Sequence, residues 1–309
     1  MIAGLGCWQF GSSFGFWPNQ KLEDSKQTIQ FALENKIIHF DSAQGYNNGQ
    51  SEQILGQQIK KLQKLNKISR NDIMLATKIM PTVSLNIEKL INKSLKRLYT
   101  DYLDILYIHW PKSNFDYHPM FQQLVELKNK GIIKNIGLSN FNLEDLANIS
   151  SKYPISFYQR PVSLLWSKDL ESAKELCLKK DIKLVGYSPL GLGCLSGKYN
   201  LKENLSYDDS RRTLFIYSQP FFPLFTSLIN QIEDIAYKNN TTCSQVALSW
   251  AKNQNPSVLL LGASNKTQLQ KNLNFIDLEK EEIDKLSNCS KDLMIKVPEK
   301  IDNYFFHRY

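Results

Sequence analysis

Residues 103–109 have the sequence LDILYIH, a nearly unbroken apolar run that ends on a histidine. Four other runs share this form, since each is apolar, largely β-branched and ends on a polar residue able to do chemistry. Strands that are apolar along their whole length and are separated by amphipathic segments of helix length are typical of parallel sheets buried on both faces. The five runs end at Asp41, Lys78, His109, Ser139-Asn140 and Tyr187.

The same alternation runs along the whole chain and predicts the fold. Eight strands with helices between them predict an α/β fold, a closed (β/α)₈ TIM barrel with a long segment after the seventh strand and an extra C-terminal helix. We expect a single domain over residues 1–309, because barrels of this size form one unit. Strands are predicted at 3–8, 37–41, 73–78, 103–109, 132–139, 155–159, 183–187 and 258–262, and helices at 22–34, 51–62, 87–98, 119–130, 143–151, 171–179, 224–239 and 279–289.

The segment 191–223 breaks this rhythm. It is long, rich in Gly, Ser and Asp, and contains the pair Arg211-Arg212. Long irregular segments in compact domains are usually functional. Its composition gives it little reason to pack alone, so we expect disorder in the absence of a ligand. Asn142 and Asn265 are predicted helix N-caps, and residues 69–72 are interpreted as a turn.

The composition excludes several classes of partner. The net charge is +8, yet Lys is spread through the helices with no basic block of 5–8 residues, which favours solvated helix faces over a nucleic-acid surface. A local basic site for an anionic cofactor remains open. Apolar runs fall far short of the roughly 20 residues that span a bilayer, so we expect no membrane segment. The 5 cysteines are scattered, which favours free thiols in a reducing cytoplasm.

Metal and Rossmann-type nucleotide motifs are not evident. The 4 histidines lack clustered acidic partners and the H-E-x-x-H pattern, so no metal is expected. The stretch GLGCLS at 191–196 approaches the dinucleotide fingerprint but ends in Ser. In a closed barrel, however, the C-terminal ends of all strands meet at one face, where barrel enzymes place their chemistry. The polar residues that end the runs are therefore predicted to share one pocket, although each alone is more typical of a cap, a packing residue or a solvated side chain.

The ordered motifs resemble those of the aldo-keto reductases. LSGKY at 195–199 looks most similar to the branch that contains potassium-channel beta subunits. The resemblance implies an NADPH-dependent enzyme that reduces an aldehyde or ketone; the alternative is a nucleotide-sensing binding subunit with weak or no turnover. The matching stretches are FDSAQGY at 40–46, ATK at 76–78, DYLD at 101–104, IHWP at 108–111, GLSNF at 137–141, YSPL at 187–190 and LLGASN at 260–265.

The resemblance assigns catalysis to Asp41, Tyr46, Lys78 and His109. Hydride addition to a carbonyl creates an alkoxide, so an acid must protonate the oxygen as charge develops. Tyr46 would be that acid, and the ammonium group of Lys78 is expected to lower the pKa of its phenol from about 10. Asp41 would pair with Lys78, and His109 would donate to the carbonyl oxygen.

The resemblance also implies where NADPH would bind. Ser139, Asn140 and Gln159 would contact the nicotinamide carboxamide and Tyr187 would stack on the ring, whereas Ser188, Leu190 and the nearby Lys198 would lie at the pyrophosphate. Gly262, Ser264, Gln268 and Asn272 match the adenosine end. Many family members carry Lys and Arg where this chain has Gly262 and Gln268. A preference for NADPH would then need Lys198, Lys266, Arg211 or Arg212, and NADH is not excluded.

The substrate is expected to be a small-molecule carbonyl compound. Trp8 and Trp110 would line an apolar pocket beside Tyr46 and His109, with the segment 191–223 and the C-terminal tail forming the rest. Trp8 could equally be ordinary core packing. We also expect no N-terminal hairpin before the first strand, and the chain is compatible with a monomer or a homo-oligomer.

Overall fold

The computed structural model describes residues 1–11, 17, 19–83 and 86–297. In these ranges eight parallel strands close into a barrel in sequence order, which confirms the predicted (β/α)₈ fold. Closure is made by β1 and β8, where Gly6 pairs with Gly262. The strands are β1 Ile2–Gly6, β2 His39–Asp41, β3 Met74–Ile79, β4 Leu103–Ile108, β5 Ile133–Ser139, β6 Ile155–Pro161, β7 Lys183–Tyr187 and β8 Val258–Gly262.

Helices surround this barrel and follow the predicted order, except for one helix, Cys243–Asn253, that the sequence did not predict. Asn142 and Asn265 cap helices as expected, since their side chains accept hydrogen bonds from the amides of Asp145 at 2.7 Å and Gln268 at 2.9 Å. The turn predicted at 69–72 contains a short 3₁₀ helix with a capping box. The helices are α1 Leu22–Glu34, α2 Gln50–Lys64, α3 Ile87–Leu98, α4 His118–Asn129, α5 Leu143–Ser150, α6 Leu170–Lys179, α7 Phe221–Lys238, α8 Cys243–Asn253, α9 Lys266–Asn272 and α10 Lys280–Ile295.

The inside of the barrel is packed with side chains from alternate positions of the strands. Gly137 in β5 gives room to a large neighbour, because a Cβ there would lie 2.4 Å from Cδ1 of Tyr107. The interior is therefore a core on which the strand ends are fixed, as is usual for barrels of this kind. Its apolar members include Ala76, Ile105, Tyr107, Phe157, Val185, Val258 and Leu260.

The expectation that the segment 191–223 would have little to pack against is wrong. It contains four short 3₁₀ helices, after which α7 begins at Phe221. Apolar side chains anchor the segment, although it is rich in Gly, Ser and Asp. The buried ones include Leu205, Leu214, Phe215 and Ile216. Across the described ranges, no helix combines the length and the apolar character that crossing a membrane requires.

His39 lies in the barrel interior, two residues before Asp41 in β2. Its surroundings predict how the stability of the protein changes at acid pH. Neither ring nitrogen has a hydrogen-bond partner in the structure, and burial lowers the pKa of the imidazole from 6.5 to about 4. Between these two values the unfolded chain binds more protons than the folded chain, so stability falls as pH falls from 6.5 towards 4. We expect this residue to account for a loss of about 2–3 kcal/mol between pH 7 and pH 4.5.

Urea unfolding of wild type and His39→Leu at pH 7, 5.5 and 4.5 measures this effect. The variant should lose less unfolding free energy on acidification than the wild type does. Parallel pH dependences would mean that His39 is protonated in the folded protein as easily as in the unfolded chain.

Candidate active site

Four of the predicted site residues come together at the C-terminal ends of the strands. Asp41 ends β2, Lys78 is the last residue but one of β3, His109 follows β4, and Tyr46 stands in the loop after β2. The ammonium of Lys78 is at the centre of these four side chains. Its side chain is 1% exposed, and Nζ donates to the carboxylate of Asp41, to the carbonyl of Ser42 at 2.8 Å and to the hydroxyl of Tyr46 at 3.3 Å.

The carboxylate of Asp41 is fixed from two sides. Lys78 binds Oδ1, and Nε2 of Gln159 donates to Oδ2 at 2.8 Å. The sequence assigned Gln159 only to a nicotinamide contact, so this bond adds a second role. Both oxygens of a buried carboxylate therefore have partners, which offsets part of the cost of burying the charge.

The loop that carries Tyr46 needs backbone conformations that most residues avoid. Asn47 and Asn48 have φ of 50° and 53°, and Gly49 has φ of 86°. A side chain at Gly49 would also collide with Arg97, whose Cζ lies 2.3 Å from the position of a Cβ. Asn47 further donates from Nδ2 to the carbonyl of Phe10 at 2.6 Å. The asparagines and the glycine thus set the position of the phenol.

Burial dominates the protonation of the site. It lowers the pKa of Lys78, against the opposing effect of Asp41. It raises the pKa of Tyr46 well above its ordinary value, and the negative charge of Asp41 adds to this. The expected net lowering of the phenol pKa is therefore not found, because burial and Asp41 outweigh the stabilisation that Lys78 gives the phenolate. Burial, helped by the charge of Lys78, lowers the pKa of His109 well below 6.5, so its imidazole is neutral at pH 7.

This combination suits proton delivery to a developing oxyanion. The phenol stays protonated until it is needed, and the neighbouring ammonium group stabilises a phenolate once the proton has left. A neutral imidazole still offers one N–H donor. Tyr46 and His109 lie edge to face with ring centres 5.5 Å apart, so the two polar side chains are direct neighbours.

Three tryptophans pack on or near this pair, and we refer to Trp8, Trp17 and Trp110 as the aromatic wall. Trp8 stacks on Tyr46 at 6.0 Å and meets Trp17 edge to face at 5.0 Å. Trp110 lies 6.3 Å from the ring of His109. Trp8 is half-buried against Tyr46 rather than deep in the core. Trp17 escaped the sequence analysis because no strand end or motif marks it, and the C-terminal tail lies outside the described residues.

Ser139, Asn140 and Tyr187 form a second connected group beside the first. The hydroxyl of Tyr187 donates to Oδ1 of Asn140 at 2.6 Å, and Nδ2 of Asn140 donates to the carbonyl of His109 at 2.9 Å and to Oγ of Ser139 at 3.0 Å. Asn140 has φ of 66°, a conformation that asparagine tolerates well. The predicted nicotinamide residues are therefore tied to His109 by a hydrogen bond.

The predicted adenosine residues also lie in one place, around the end of β8. Nδ2 of Asn272 donates to the carbonyl of Gly262 at 3.1 Å, and Oε1 of Gln268 accepts from the amide of Ser264 at 2.9 Å. Gly262 leaves room for a ligand on the backbone, since a Cβ there would meet only Oε1 of Gln9 at 3.8 Å.

Arg211 is arranged differently from the expectation that it binds a phosphate. All three guanidinium nitrogens donate within the segment 191–223, to Asp209 at 2.9 and 2.6 Å and to the carbonyl of Leu192 at 3.1 Å. The guanidinium also covers the ring of Tyr199 at 4.2 Å. Arg212 donates to the carbonyl groups of residues 202 and 205. Both arginines therefore stabilise the segment, whereas Lys198 is exposed.

Comparisons with known proteins agree with this architecture. The sequence model of the aldo/keto reductase family matches residues 3–291. Aldo-keto reductase YhdN of Bacillus subtilis is 30% identical over 279 residues, which cover 86% of this chain and 82% of YhdN. A probable voltage-gated potassium channel subunit beta of Arabidopsis thaliana is 27% identical, over 86% of this chain and 87% of that protein.

A solved structure supports the fold independently. The glycerol dehydrogenase AKR11B4 from Gluconobacter oxydans superposes with a TM-score of 0.81, covering 96% of this chain and 94% of its own, at 23% sequence identity. At that identity the likeness concerns the barrel alone. In the described part of the chain, no group of three or more His, Cys, Asp or Glu side chains is placed to hold a metal ion.

Proposed function

The chain belongs to the aldo/keto reductase family, and we propose that it reduces an aldehyde or ketone to an alcohol with NAD(P)H, using Tyr46 as the general acid. One observation carries this proposal above the others. The buried ammonium group of Lys78 lies between the carboxylate of Asp41 and the hydroxyl of Tyr46, at 3.3 Å from the latter. Burying a cation beside a phenol costs free energy, so this contact does little for the fold. The cation does, however, stabilise the phenolate that forms when the phenol loses its proton.

The residues present fit a nicotinamide nucleotide. The linked amide and hydroxyl groups of Asn140 and Ser139 adjoin the catalytic pocket, and the open backbone at Gly262 lies at the other end of the proposed site. When bound, the reduced nicotinamide supplies the hydride. The chain's own contribution is to orient the carbonyl oxygen between the phenol of Tyr46 and the imidazole of His109, and to exclude water with the aromatic wall.

The proton comes from Tyr46 in this proposal. Its raised pKa keeps it protonated at neutral pH, so the acid is present whenever a carbonyl binds. As the oxygen becomes negative, the proton moves from the phenol, and Lys78 stabilises the phenolate that remains. His109, neutral at pH 7, donates a hydrogen bond to the same oxygen. Asp41 keeps the lysine oriented through the whole step.

A steady-state screen tests the proposed reaction. Oxidation of NADPH and NADH is followed against a panel of aromatic aldehydes, aliphatic aldehydes, ketones and sugars. Turnover with at least one carbonyl class is expected, and tight nucleotide binding without turnover on any of them would instead favour the sensing subunit. The complete set of four catalytic side chains supports the enzyme. A cytoplasmic location also stays our prediction.

The choice between nucleotides is expected to be weak. A charged hydrogen bond contributes about 1.5–3 kcal/mol, so each cation on the 2′-phosphate changes affinity by about tenfold or more. Arg211 and Arg212 are bonded within their own segment, which leaves Lys198 and Lys266 as the exposed cations proposed there. Because an ion pair made by an exposed side chain contributes only about 0–1 kcal/mol, we expect NADPH to bind no more than about tenfold tighter than NADH.

Fluorescence titration of both nucleotides measures that ratio. Lys198→Met combined with Lys266→Met should bring the two affinities together, and Lys202→Met, at an exposed lysine near Lys198, is the matched control. A preference of about 100-fold, or one that survives the double variant, would show that another cation binds the phosphate.

A further inference from the structure

Side-chain amides bind the backbone of residues 262–264, which are the last residue of β8 and the two residues after it; we call these three residues the β8 turn. Three successive carbonyl groups accept hydrogen bonds from three different amide side chains. A backbone group that points away from water requires such a partner. The bonds are Asn272 Nδ2 to Gly262 O at 3.1 Å, Gln9 Nε2 to Ala263 O at 2.7 Å, Gln20 Nε2 to Ser264 O at 2.8 Å, and Ser264 N to Gln268 Oε1 at 2.9 Å.

Two of these amides come from far away in the chain. Gln268 and Asn272 belong to α9, directly after the turn. Gln9 lies 254 positions before the residue whose carbonyl it binds, and Gln20 lies 244 positions before its own partner. Both stand in the segment between β1 and α1. Their hydrogen bonds therefore connect the segment after β1 with the end of β8, beside the pair Gly6–Gly262 at which β1 and β8 close the barrel.

The chemistry of the two glutamines points to positioning. Gln9 is 3% exposed and Gln20 is half-buried, so neither amide serves mainly as a surface group. Gln20 also donates to Oγ of Ser25 at 3.1 Å, which fixes the orientation of its amide. A turn without such bonds populates several conformations, and affinity for a ligand falls with the fraction of molecules in the competent one.

We propose that Gln9 and Gln20 are positioning residues for nucleotide binding, which hold the β8 turn in the conformation that receives the adenosine end of NAD(P)H. The inference rests on the proposed function, because that function places the adenosine at Gly262 and Ser264. It goes further by assigning a role to two side chains that no motif marks. Neither glutamine touches the reacting atoms, so both act on binding and not on the chemical step.

Isosteric substitutions test this role. Gln9→Met and Gln20→Met remove the amide donor and keep the length of the side chain, and Gln30→Met is the matched control, since Nε2 of Gln30 donates only to an exposed carboxylate of Glu34 at 2.9 Å. Calorimetric titration with NADPH, NADH and ADP should give dissociation constants about threefold to tenfold higher for each variant, equal for the two dinucleotides. The kcat at saturating nucleotide should match that of the wild type.

The outcomes separate positioning from ordinary stabilisation. A lowered Tm with unchanged dissociation constants would overturn the inference, as would a fall in kcat at saturating nucleotide with affinity intact. Weaker binding of the dinucleotides with unchanged ADP affinity would also overturn it, because the effect would then lie at the nicotinamide end. If the buried Gln9→Met variant does not fold, Gln20→Met decides alone. A wild-type protein that binds no nucleotide would overturn the proposed function together with this inference.

Discussion

Replacing Tyr46 by Phe is expected to lower turnover by at least about 10²-fold, the lower end of typical general-acid contributions, while nucleotide affinity stays unchanged. Phe keeps the ring that stacks on Trp8 and packs edge to face on His109. It removes only the hydroxyl that accepts a hydrogen bond from Lys78 at 3.3 Å. The fold and the aromatic wall should therefore persist, and the loss should fall on kcat.

Single-turnover reduction with nucleotide already bound isolates the chemical step. Tyr237→Phe, at a residue that is 91% exposed, makes the same chemical change away from the site and should leave the rate unaltered. A Tyr46→Phe protein that reduces carbonyl substrates at the wild-type rate would transfer the role of acid to another group, with His109 as the next donor in the pocket.

The sequence predicted that Asp41, Lys78 and His109 lie together, because each of the three is tied to the end of a strand. Asp41 ends β2, Lys78 lies in β3 and His109 follows β4, so strand order alone brings them to one face of the barrel. Helix α8 was missed, since its residues 246–251 are all buried and show no polar face that would reveal a helical period. The capping box of Thr242 and Gln245 was the signal that could have found it.

Long-range bonds and protonation were beyond the sequence for physical reasons. The contacts of Gln9 and Gln20 with the β8 turn join positions more than 240 residues apart, and an amide in a loop has no period that would announce a partner. The raised pKa of Tyr46 arises from burial, which depends on the assembled pocket. The pairing of Arg211 with Asp209 was readable, because an acidic residue two positions before an arginine is a local partner that competes with any ligand.

Replacing Lys78 by Met is expected to reduce turnover by about 10²–10³-fold, the range for removing one preorganised electrostatic contact, and to destabilise the fold as well. The ammonium group that would stabilise the phenolate is lost, so proton release from Tyr46 becomes harder. Asp41 loses the partner of its buried carboxylate, and breaking such a pair costs about 3–5 kcal/mol. Lys130→Met, which removes an exposed pair with Glu88, should cost about 0–1 kcal/mol and leave the rate intact.

The double variant Lys78→Met with Asp41→Asn separates the two losses. It removes both charges together, so no unpaired carboxylate is left buried, and Asn can still accept the hydrogen bond that Gln159 donates to Asp41 at 2.8 Å. Chemical unfolding should therefore show stability recovered relative to Lys78→Met, while single-turnover rates stay as low. The wild-type rate should fall at alkaline pH as Lys78, whose pKa burial lowers, loses its proton, and both variants should lack that limb. Recovery of the rate along with stability would mean that Lys78 serves the fold only.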